Sequence, residues 1–293
     1  MKRVQNAALA GIGLMLLACF FQTANGALAK GLLTGLPLTL VLLLRSGTSI
    51  ALVLPFTTPG QFLAMPHPRR QLLRALLCTF EASIYLFVLT RLPLADCMTY
   101  YLSIPIIVTA ISVFLGERID WRRWCAVLIG FLGVVITLRP SMDALSWPAL
   151  LNMAGALLYA VIMLLTRSLH GTSSPVLLVG QHVGVMVFAG LATLLTLSEP
   201  VAMTDVALMS FLGGLTLAGA YAVNRSIAAA PPSIVSPYQY SLMIWGPLFG
   251  YLFFDEIPRL TTIMGGLLIV ASGLYIFMRE KKTPAPARAE PPA

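Results

Sequence analysis

The sequence predicts an all-α integral membrane protein with about ten transmembrane helices, arranged as two inverted five-helix repeats. Three observations predict this fold. Hydrophobic residues make up 58% of the 293 residues and charged residues only 10%, with a mean hydropathy of +0.87, whereas a soluble domain is about 25% charged. Apolar segments of about 20 residues, the length that crosses the hydrocarbon core, recur along the chain. The two halves of the chain also share motifs at a constant offset.

Short stretches rich in proline, glycine and charge separate ten apolar segments, and such stretches favour turns. The segments cover residues 7–27, 36–56, 71–90, 94–115, 122–139, 147–167, 175–197, 205–226, 233–254 and 259–278. The first segment is interpreted as a membrane span rather than a cleaved signal, because many further spans follow it. Residues 281–293 are rich in proline, alanine and charge and are expected to form a disordered cytoplasmic tail.

The distribution of lysine and arginine predicts the orientation in the membrane. With the N-terminus in the cytoplasm, 14 of the 19 basic residues lie on the cytoplasmic side, 4 lie on the opposite side and Arg45 lies within a span. Both termini are therefore expected in the cytoplasm, with the protein in the cell inner (plasma) membrane. The net charge of +8 is spread in short clusters between spans, which argues against nucleic acid as a partner.

An internal repeat divides the chain into two halves. Two pairs of residues recur at an offset of 139 positions: Glu117 with Glu256, and Pro93 with Pro232. Residues 1–140 and 141–280 are therefore predicted to form two repeats of five spans each. Because five is an odd number, the repeats must have opposite orientations. Inverted repeats recur in secondary transporters, where the substrate binds near the membrane midplane.

Four segments carry a resemblance to a known family. They are residues 114–118 (FLGER), 121–134 (WRRWCAVLIGFLGV), 236–240 (SPYQY) and 265–275 (GGLLIVASGLY). Through them the chain resembles the drug/metabolite transporter superfamily, in the branch built from two EamA-type repeats. The resemblance implies ten helices around a central cavity that opens alternately to each side. It also implies a small organic substrate, since family members export amino acids or take up riboflavin or S-adenosylmethionine.

Two charged residues fall in the middle of predicted spans. Arg45 and Glu81 each lie about ten residues from the cytoplasmic end of their helix, so both should lie at a depth of roughly 15 Å. A charge at that depth costs about 2.5–3.5 kcal/mol on insertion scales, so it should have a partner or face a wet cavity. Two interpretations stay open: a structural ion pair between the second and third helices, or a substrate-facing or proton-linked pair.

His182 lies inside the seventh span beside Gln181. A histidine can bind or release a proton near neutral pH, so His182 is a candidate site residue. The alternative is a buried histidine that only forms a hydrogen bond with a neighbour.

Aromatic residues of the fourth and ninth spans form a further candidate site. Its members are Tyr100, Tyr101, Tyr238, Gln239, Tyr240 and Trp245. The 139-residue offset matches Tyr101 with Tyr240. It also matches Tyr100 with Gln239, whose amide could hydrogen-bond to a ligand. Aromatic rings near the repeat interface could sandwich a flat ring, which favours a planar cofactor or vitamin such as riboflavin. Ordinary packing or an interfacial aromatic belt is the alternative.

The patterns of other functional classes are missing from the sequence. There is no HExxH or GxSG motif, no ATP-binding loop and no metal-ligand spacing among the histidines and cysteines. The chain is therefore predicted to be no enzyme and to use no metal or cofactor, although a membrane-embedded enzyme or a structural membrane protein remains the alternative class. Transport of a planar metabolite, or export of amino acids and related metabolites, would be facilitated or driven by an ion gradient. The expected partners are the small-molecule substrate and the lipid bilayer, with protons and a second copy of the chain as candidates.

Overall fold

The computed structural model describes residues 2–63, 66–114, 121–138, 146–169, 171–196, 201–229 and 235–280. All regular structure in these ranges is helical, which confirms the predicted all-α class. The predicted repeat boundary at residues 140 and 141, the predicted tail 281–293 and Glu117 lie outside the described residues.

The helices of these ranges follow the predicted order of spans. The α-helices are α1 (Lys2–Leu32), α2 (Leu38–Val53), α3 (Pro59–Leu63), α4 (Pro68–Leu89), α5 (Leu94–Tyr101), α6 (Ile104–Phe114), α7 (Trp121–Leu138), α8 (Trp147–Ser168), α9 (Ser174–Thr196), α10 (Met203–Ala229), α11 (Leu242–Phe254) and α12 (Leu260–Glu280). Two 3-10 helices cover Leu54–Phe56 and Ser236–Ser241. The sequence did not predict the short helix α3, which lies between the second and third spans.

Within the described ranges, six helices are long and apolar enough to cross a membrane alone: α1, α2 with its 3-10 extension, α4, α8, α9 and α10. The other four spans are shorter or interrupted. α5 and α6 together form the fourth span, α7 is the fifth, the 3-10 helix Ser236–Ser241 with α11 forms the ninth, and α12 is the tenth. The apolar segments are helical because lipid offers no hydrogen-bond partners, so the backbone must satisfy its own donors and acceptors.

The fourth and ninth spans are interrupted at matching positions. In a continuous helix the carbonyl of Tyr101 would accept the N–H of residue 105. Because Pro105 has no N–H, this hydrogen bond is missing, and α5 ends at Tyr101. The ninth span begins with the 3-10 helix Ser236–Ser241 instead of an α-helix. Ser241, where this helix ends, follows Leu102, the first residue after α5, by 139 positions. The interruption is therefore a feature of the repeat.

The contacts between helices obey the same symmetry. Replacing each span by its counterpart five spans away converts one contact into another. The contact of α1 with α10 corresponds to that of α4 with α8, α2 with α10 to α4 with α9, and α1 with α11 to α6 with α8. The pairs α2 with α9, α5 with α11 and α7 with α12 are their own counterparts. The two halves thus interlock, and the pair α7 and α12 lies at one edge.

The outer surface is apolar, as a lipid-facing surface requires. Leu195 on α9 is 89% exposed and Phe131 on α7 is 59% exposed. Cys125 on α7 is also exposed, whereas Cys19, Cys78 and Cys97 are buried. Cys125 differs from the other three because it belongs to a helix at the edge of the bundle.

Candidate functional site

An internal cavity lies between the two halves of the chain, with a wall formed by α1, α2, α4, α5, α8, α9 and α10. Polar residues of this wall include Arg45, Arg74, Glu81, Tyr85, Tyr101, Tyr159, Thr166, Gln181, His182 and Asn224. Four of the nine predicted site residues are among them: Arg45, Glu81, Tyr101 and His182. The cavity therefore unites the predicted midplane charges with the histidine and one aromatic residue.

Arg45 lies at the middle of α2 and is only 5% exposed. Its position is held by the crossing of α2 and α10. Ser49 donates a hydrogen bond of 2.8 Å to the carbonyl of Gly213, and a Cβ atom on Gly213 would lie 2.5 Å from the carbonyl oxygen of Arg45. The glycine thus lets the two backbones approach closely. Arg45 lines the cavity, and its Nε has no hydrogen-bond partner among the described residues.

Glu81 on α4 is held by a tyrosine. The hydroxyl of Tyr101 donates a hydrogen bond of 2.6 Å to Glu81 Oε1. Tyr101 in turn packs edge-to-face against Tyr85, with ring centroids 5.5 Å apart, and against Tyr159, with centroids 5.9 Å apart. Edge-to-face contacts at these distances are favourable for aromatic rings. The three tyrosines of α4, α5 and α8 therefore form one aromatic wall, named here the tyrosine wall, beside the carboxylate.

The predicted ion pair between Arg45 and Glu81 is not formed. Among the described residues, the ion pair within 4.0 Å joins Lys30 and Glu256 instead. Arg45 and Glu81 both border the cavity and attract each other across it. The direct ion pair of the first interpretation is therefore absent, and the role of the two charges in binding a substrate or a proton stays a prediction.

Arg74 lines the cavity, although it is one of the 14 basic residues predicted on the cytoplasmic side. It is 4% exposed. Its guanidinium donates to Thr166 Oγ1 at 2.7 Å, to the carbonyl of Leu177 at 3.0 Å and to Gln181 Oε1 at 3.2 Å. These bonds tie α4 to α8 and α9. The available signal was the spacing of seven residues between Arg74 and Glu81, which places both on one face of a helix.

His182 lies on α9 and is 2% exposed. Neither of its ring nitrogens has a hydrogen-bond partner among the described residues. The alternative of a histidine hydrogen-bonded to a neighbouring side chain is therefore not realised here. Its neighbour Gln181 bonds to Arg74 instead.

The other predicted aromatic and amide residues lie outside the cavity wall. Tyr100, Gln239 and Tyr240 are buried among the helices, and the ring of Tyr240 lies against Gly273 of α12. Trp245 packs edge-to-face on Phe20 with centroids 5.3 Å apart. The half-buried Tyr238 packs against Met15 and Val235, and its carbonyl accepts a contact from Cys19 Sγ. The structure thus separates Tyr101 from its repeat counterpart Tyr240. The aromatic residues of the cavity wall that the sequence did not indicate are Tyr85 and Tyr159.

One end of the bundle is closed by a polar cluster, named here the Lys30 clamp. Lys30 at the end of α1 pairs with Glu256 and donates to the carbonyl of Leu92 at 3.0 Å. Glu256 also accepts the backbone N–H of Leu94 at 2.8 Å. Asp255, with a left-handed φ of 52°, ends α11 and turns the chain so that Glu256 reaches this point. The clamp thus joins α1, the start of α5 and the loop after α11.

The cavity lies toward the side of the bundle opposite the Lys30 clamp. Arg74 lies near the start of α4, Thr166 near the end of α8 and Ile227 near the end of α10, and all three line the cavity. Because successive spans alternate in direction, these helix ends share the side on which α1 begins. The cavity therefore occupies the middle of the bundle and the half that contains the N-terminus.

The described residues contain no group of three or more His, Cys, Asp or Glu side chains that could hold a metal ion. The site offers two arginines, one carboxylate, one histidine and a tyrosine wall. These groups can bind a ligand through charge, hydrogen bonds and ring contacts.

Comparison with known proteins gives the chain a family. The model of the EamA-like transporter family matches residues 9–139. A riboflavin transporter of Rhizobium johnstonii is 31% identical over 231 residues, which cover 75% of this chain and 74% of that protein. An S-adenosylmethionine uptake transporter of Rickettsia felis is 26% identical and covers 94% of both chains.

Two further similarities span nearly the whole chain. A pseudopaline exporter of Pseudomonas aeruginosa is 25% identical over 92% of this chain and 97% of its own length. A solved crystal structure superposes with a TM-score of 0.63 at 16% identity, over 96% of this chain and 99% of that one, which shows a shared fold. With a matching family model, a relative above 30% identity and the ten-span fold, the chain belongs to the EamA-like transporter family of the drug/metabolite transporter superfamily and is a multi-pass membrane transporter.

Proposed function

We propose that the chain carries a planar metabolite across the cell inner membrane by alternating access, with riboflavin as the first candidate. The observation that carries this proposal is the tyrosine wall, which borders the cavity together with Arg45 and Glu81. Aromatic side chains offer flat apolar surface to a planar ring, and tyrosine adds a hydroxyl. Relatives from Rhizobium johnstonii and Vibrio cholerae are named riboflavin transporters, which supports this choice.

In the proposed cycle, the cavity receives substrate from the side that contains the N-terminus while the Lys30 clamp keeps the other side closed. Opening of the clamp, with closure around Arg74 and Thr166, would expose the same cavity to the opposite side. The interrupted fourth and ninth spans are suited to this change, since helix interruptions near the midplane recur in transporters with inverted repeats. The Lys/Arg distribution supports cytoplasmic termini, so the N-terminal side is proposed to be cytoplasmic.

Protons are proposed as the coupling ion. Glu81 is the proposed proton carrier, because it is the carboxyl group of the cavity wall and lies near Arg45 and Arg74 in the same wall. A proton taken up by Glu81 would remove the carboxylate charge from the cavity.

The test of the proposed function is uptake and efflux of labelled metabolites by the purified protein in proteoliposomes, with and without a pH gradient. The panel contains riboflavin, S-adenosylmethionine and aromatic amino acids. We expect saturable movement of riboflavin that is lost in Glu81→Gln. Movement of none of the compounds under either condition would contradict the proposal.

Export of amino acids or related metabolites is the second candidate. It is favoured by one observation, the presence of opposite charges in one cavity that do not pair with each other. Arg45 could bind a carboxylate and Glu81 an ammonium group of the same ligand. Movement of an aromatic amino acid in the same panel, without movement of riboflavin, would decide for this candidate.

A further inference from the structure

The cavity holds more positive than negative formal charge. Its charged wall residues are Arg45, Arg74 and Glu81. Arg74 is bound only by neutral acceptors, namely a hydroxyl, a backbone carbonyl and an amide oxygen. No carboxylate lies within 4.0 Å of either arginine among the described residues. Two buried guanidinium groups thus share a cavity with one carboxylate, and neither is neutralised by contact.

Four residues of the cavity wall carry buried polar atoms that have no hydrogen-bond partner among the described residues. They are Arg45 with Nε, Tyr85 with its hydroxyl, His182 with both ring nitrogens and Asn224 with Nδ2. Arg45 and Asn224 offer donors, and a neutral histidine offers one donor as well. Buried polar groups are normally paired, since an unpaired one loses its hydration without compensation. Four such residues on one cavity wall favour a ligand as the missing partner.

Glu81 does not compensate for these donors. One of its oxygens accepts the hydroxyl of Tyr101, and the carboxylate forms no ion pair with Arg45. The backbone of Arg45 is held at the crossing of α2 and α10, because the two backbones meet at Gly213 with no room for a Cβ atom. The Arg45 side chain therefore starts from a fixed point in the cavity wall.

We propose that Arg45, assisted by His182 and Asn224, forms a subsite for an oxyanion of the substrate, either a carboxylate or a phosphate. The inference rests on the proposed transport of a planar metabolite, and it predicts that planar metabolites with an acid group bind more tightly than neutral ones such as riboflavin. The guanidinium offers a planar set of donors that matches the oxygens of both groups. The excess positive charge of the cavity favours an anion, and the tyrosine wall on α4, α5 and α8 offers aromatic surface to the rest of the ligand.

The experiment measures binding to the purified full-length protein in detergent by equilibrium dialysis with matched pairs of labelled probes. Riboflavin 5′-phosphate and riboflavin differ by a phosphate, and tyrosine and tyramine differ by a carboxylate. In at least one pair we expect the anionic member to bind roughly ten-fold or more tightly, as a charge-assisted contact with arginine implies. The pair that shows the preference identifies the acid group.

Variants test whether Arg45 is the cause. Arg45→Gln should abolish the preference for the anionic probe, and Arg45→Lys should retain part of it because the charge remains. The control Arg91→Gln removes an exposed arginine that does not line the cavity and should retain the preference in full. Size-exclusion profiles and thermal unfolding establish that each variant is folded.

Equal affinity within both pairs for the unmodified protein would overturn the inference, even if Arg45→Gln does not fold. A preference that persists in folded Arg45→Gln would overturn it as well. These outcomes are distinct from failure of the proposed function. Riboflavin transport without any preference for the anionic probes would support the proposed function and contradict the oxyanion subsite. Preferential binding of an anionic probe without transport of any panel compound would support the subsite and contradict the proposed function.

Discussion

At the scale of single residues, the cavity wall contains two charged side chains that lie deep in their spans. Arg45 and Glu81 were identified because a charge in the middle of a span needs a partner or a cavity, and both line the cavity. Tyr240 was identified by its match to Tyr101, yet it lies against α12. Sequence symmetry places residues at equivalent positions of a repeat, but it does not make both positions face the same space.

The first prediction concerns the independence of Arg45 and Glu81. Because they form no ion pair, the double variant Arg45→Gln with Glu81→Gln should transport no faster than the worse single variant. The measurement is the initial rate for the panel compound that the unmodified protein moves. A double variant that recovers activity above either single variant would mean instead that pairing is the main role of the two charges, since removing one partner of a pair leaves an uncompensated charge.

A second prediction concerns the hydroxyl of Tyr101. Tyr101→Phe removes the bond to Glu81, and a hydrogen bond to a charged group contributes about 1.5–3 kcal/mol. The melting temperature in detergent should therefore fall. Tyr100→Phe is the matched control, because Tyr100 is the neighbouring buried tyrosine and lies outside the cavity wall. Equal melting temperatures for the two variants would contradict the role given to Tyr101.

At the scale of elements, small residues decide how closely helices approach. Gly180 and Gly184 are spaced four residues apart on α9. A Cβ atom on Gly184 would lie 2.6 Å from Thr79 Oγ1, whereas Gly180 has open space around it. The spacing of small residues is therefore necessary for a close crossing but does not show which member makes the contact, since that depends on the neighbouring helix.

The third prediction tests the crossing of α2 and α10. In Gly213→Ala the added Cβ would lie 2.5 Å from the carbonyl oxygen of Arg45 and 2.8 Å from Thr48 Cβ. Backbone atoms cannot move aside alone, so the helices must separate at a cost of about 1–3 kcal/mol. Gly214→Ala is the matched control, since its nearest neighbour, Leu52, is 3.9 Å away. Thermal unfolding should show a lower melting temperature for the first variant and little change for the second.

At the scale of the whole molecule, the Lys30 clamp and the cavity lie on opposite sides of the bundle. The Lys30 clamp joins α1, the start of α5 and the loop after α11 on one side. The cavity occupies the opposite half of the bundle. A transporter with inverted repeats needs two such states, and the described structure corresponds to the one with the clamp closed.

The fourth prediction is that weakening the clamp exposes the closed side. Cys97 is fully buried on α5 and serves as the reporter after replacement of Cys19, Cys78 and Cys125. In Glu256→Gln its labelling by a membrane-impermeant maleimide from the clamp side should rise roughly ten-fold, which corresponds to a loss of about 1.4 kcal/mol.

Arg259→Gln is the control for this experiment, because Arg259 is an exposed residue of the same loop. Its labelling rate should match that of the protein with the clamp intact. An unchanged rate in Glu256→Gln would show that the pair with Lys30 does not control access to this side.

The sequence by itself determined the membrane class, the ten spans and the repeat, because these depend on local hydropathy, turn residues and periodicity. Local composition also indicated Arg45, Glu81 and His182 as candidate site residues, because charged and polar side chains are rare inside an apolar span. Only the tertiary structure decided which distant residues meet. The pairing of Lys30 with Glu256 spans 226 positions, and the bonds of Arg74 join three helices. Such contacts depend on how helices rotate and cross, and no local pattern in the sequence specifies that geometry.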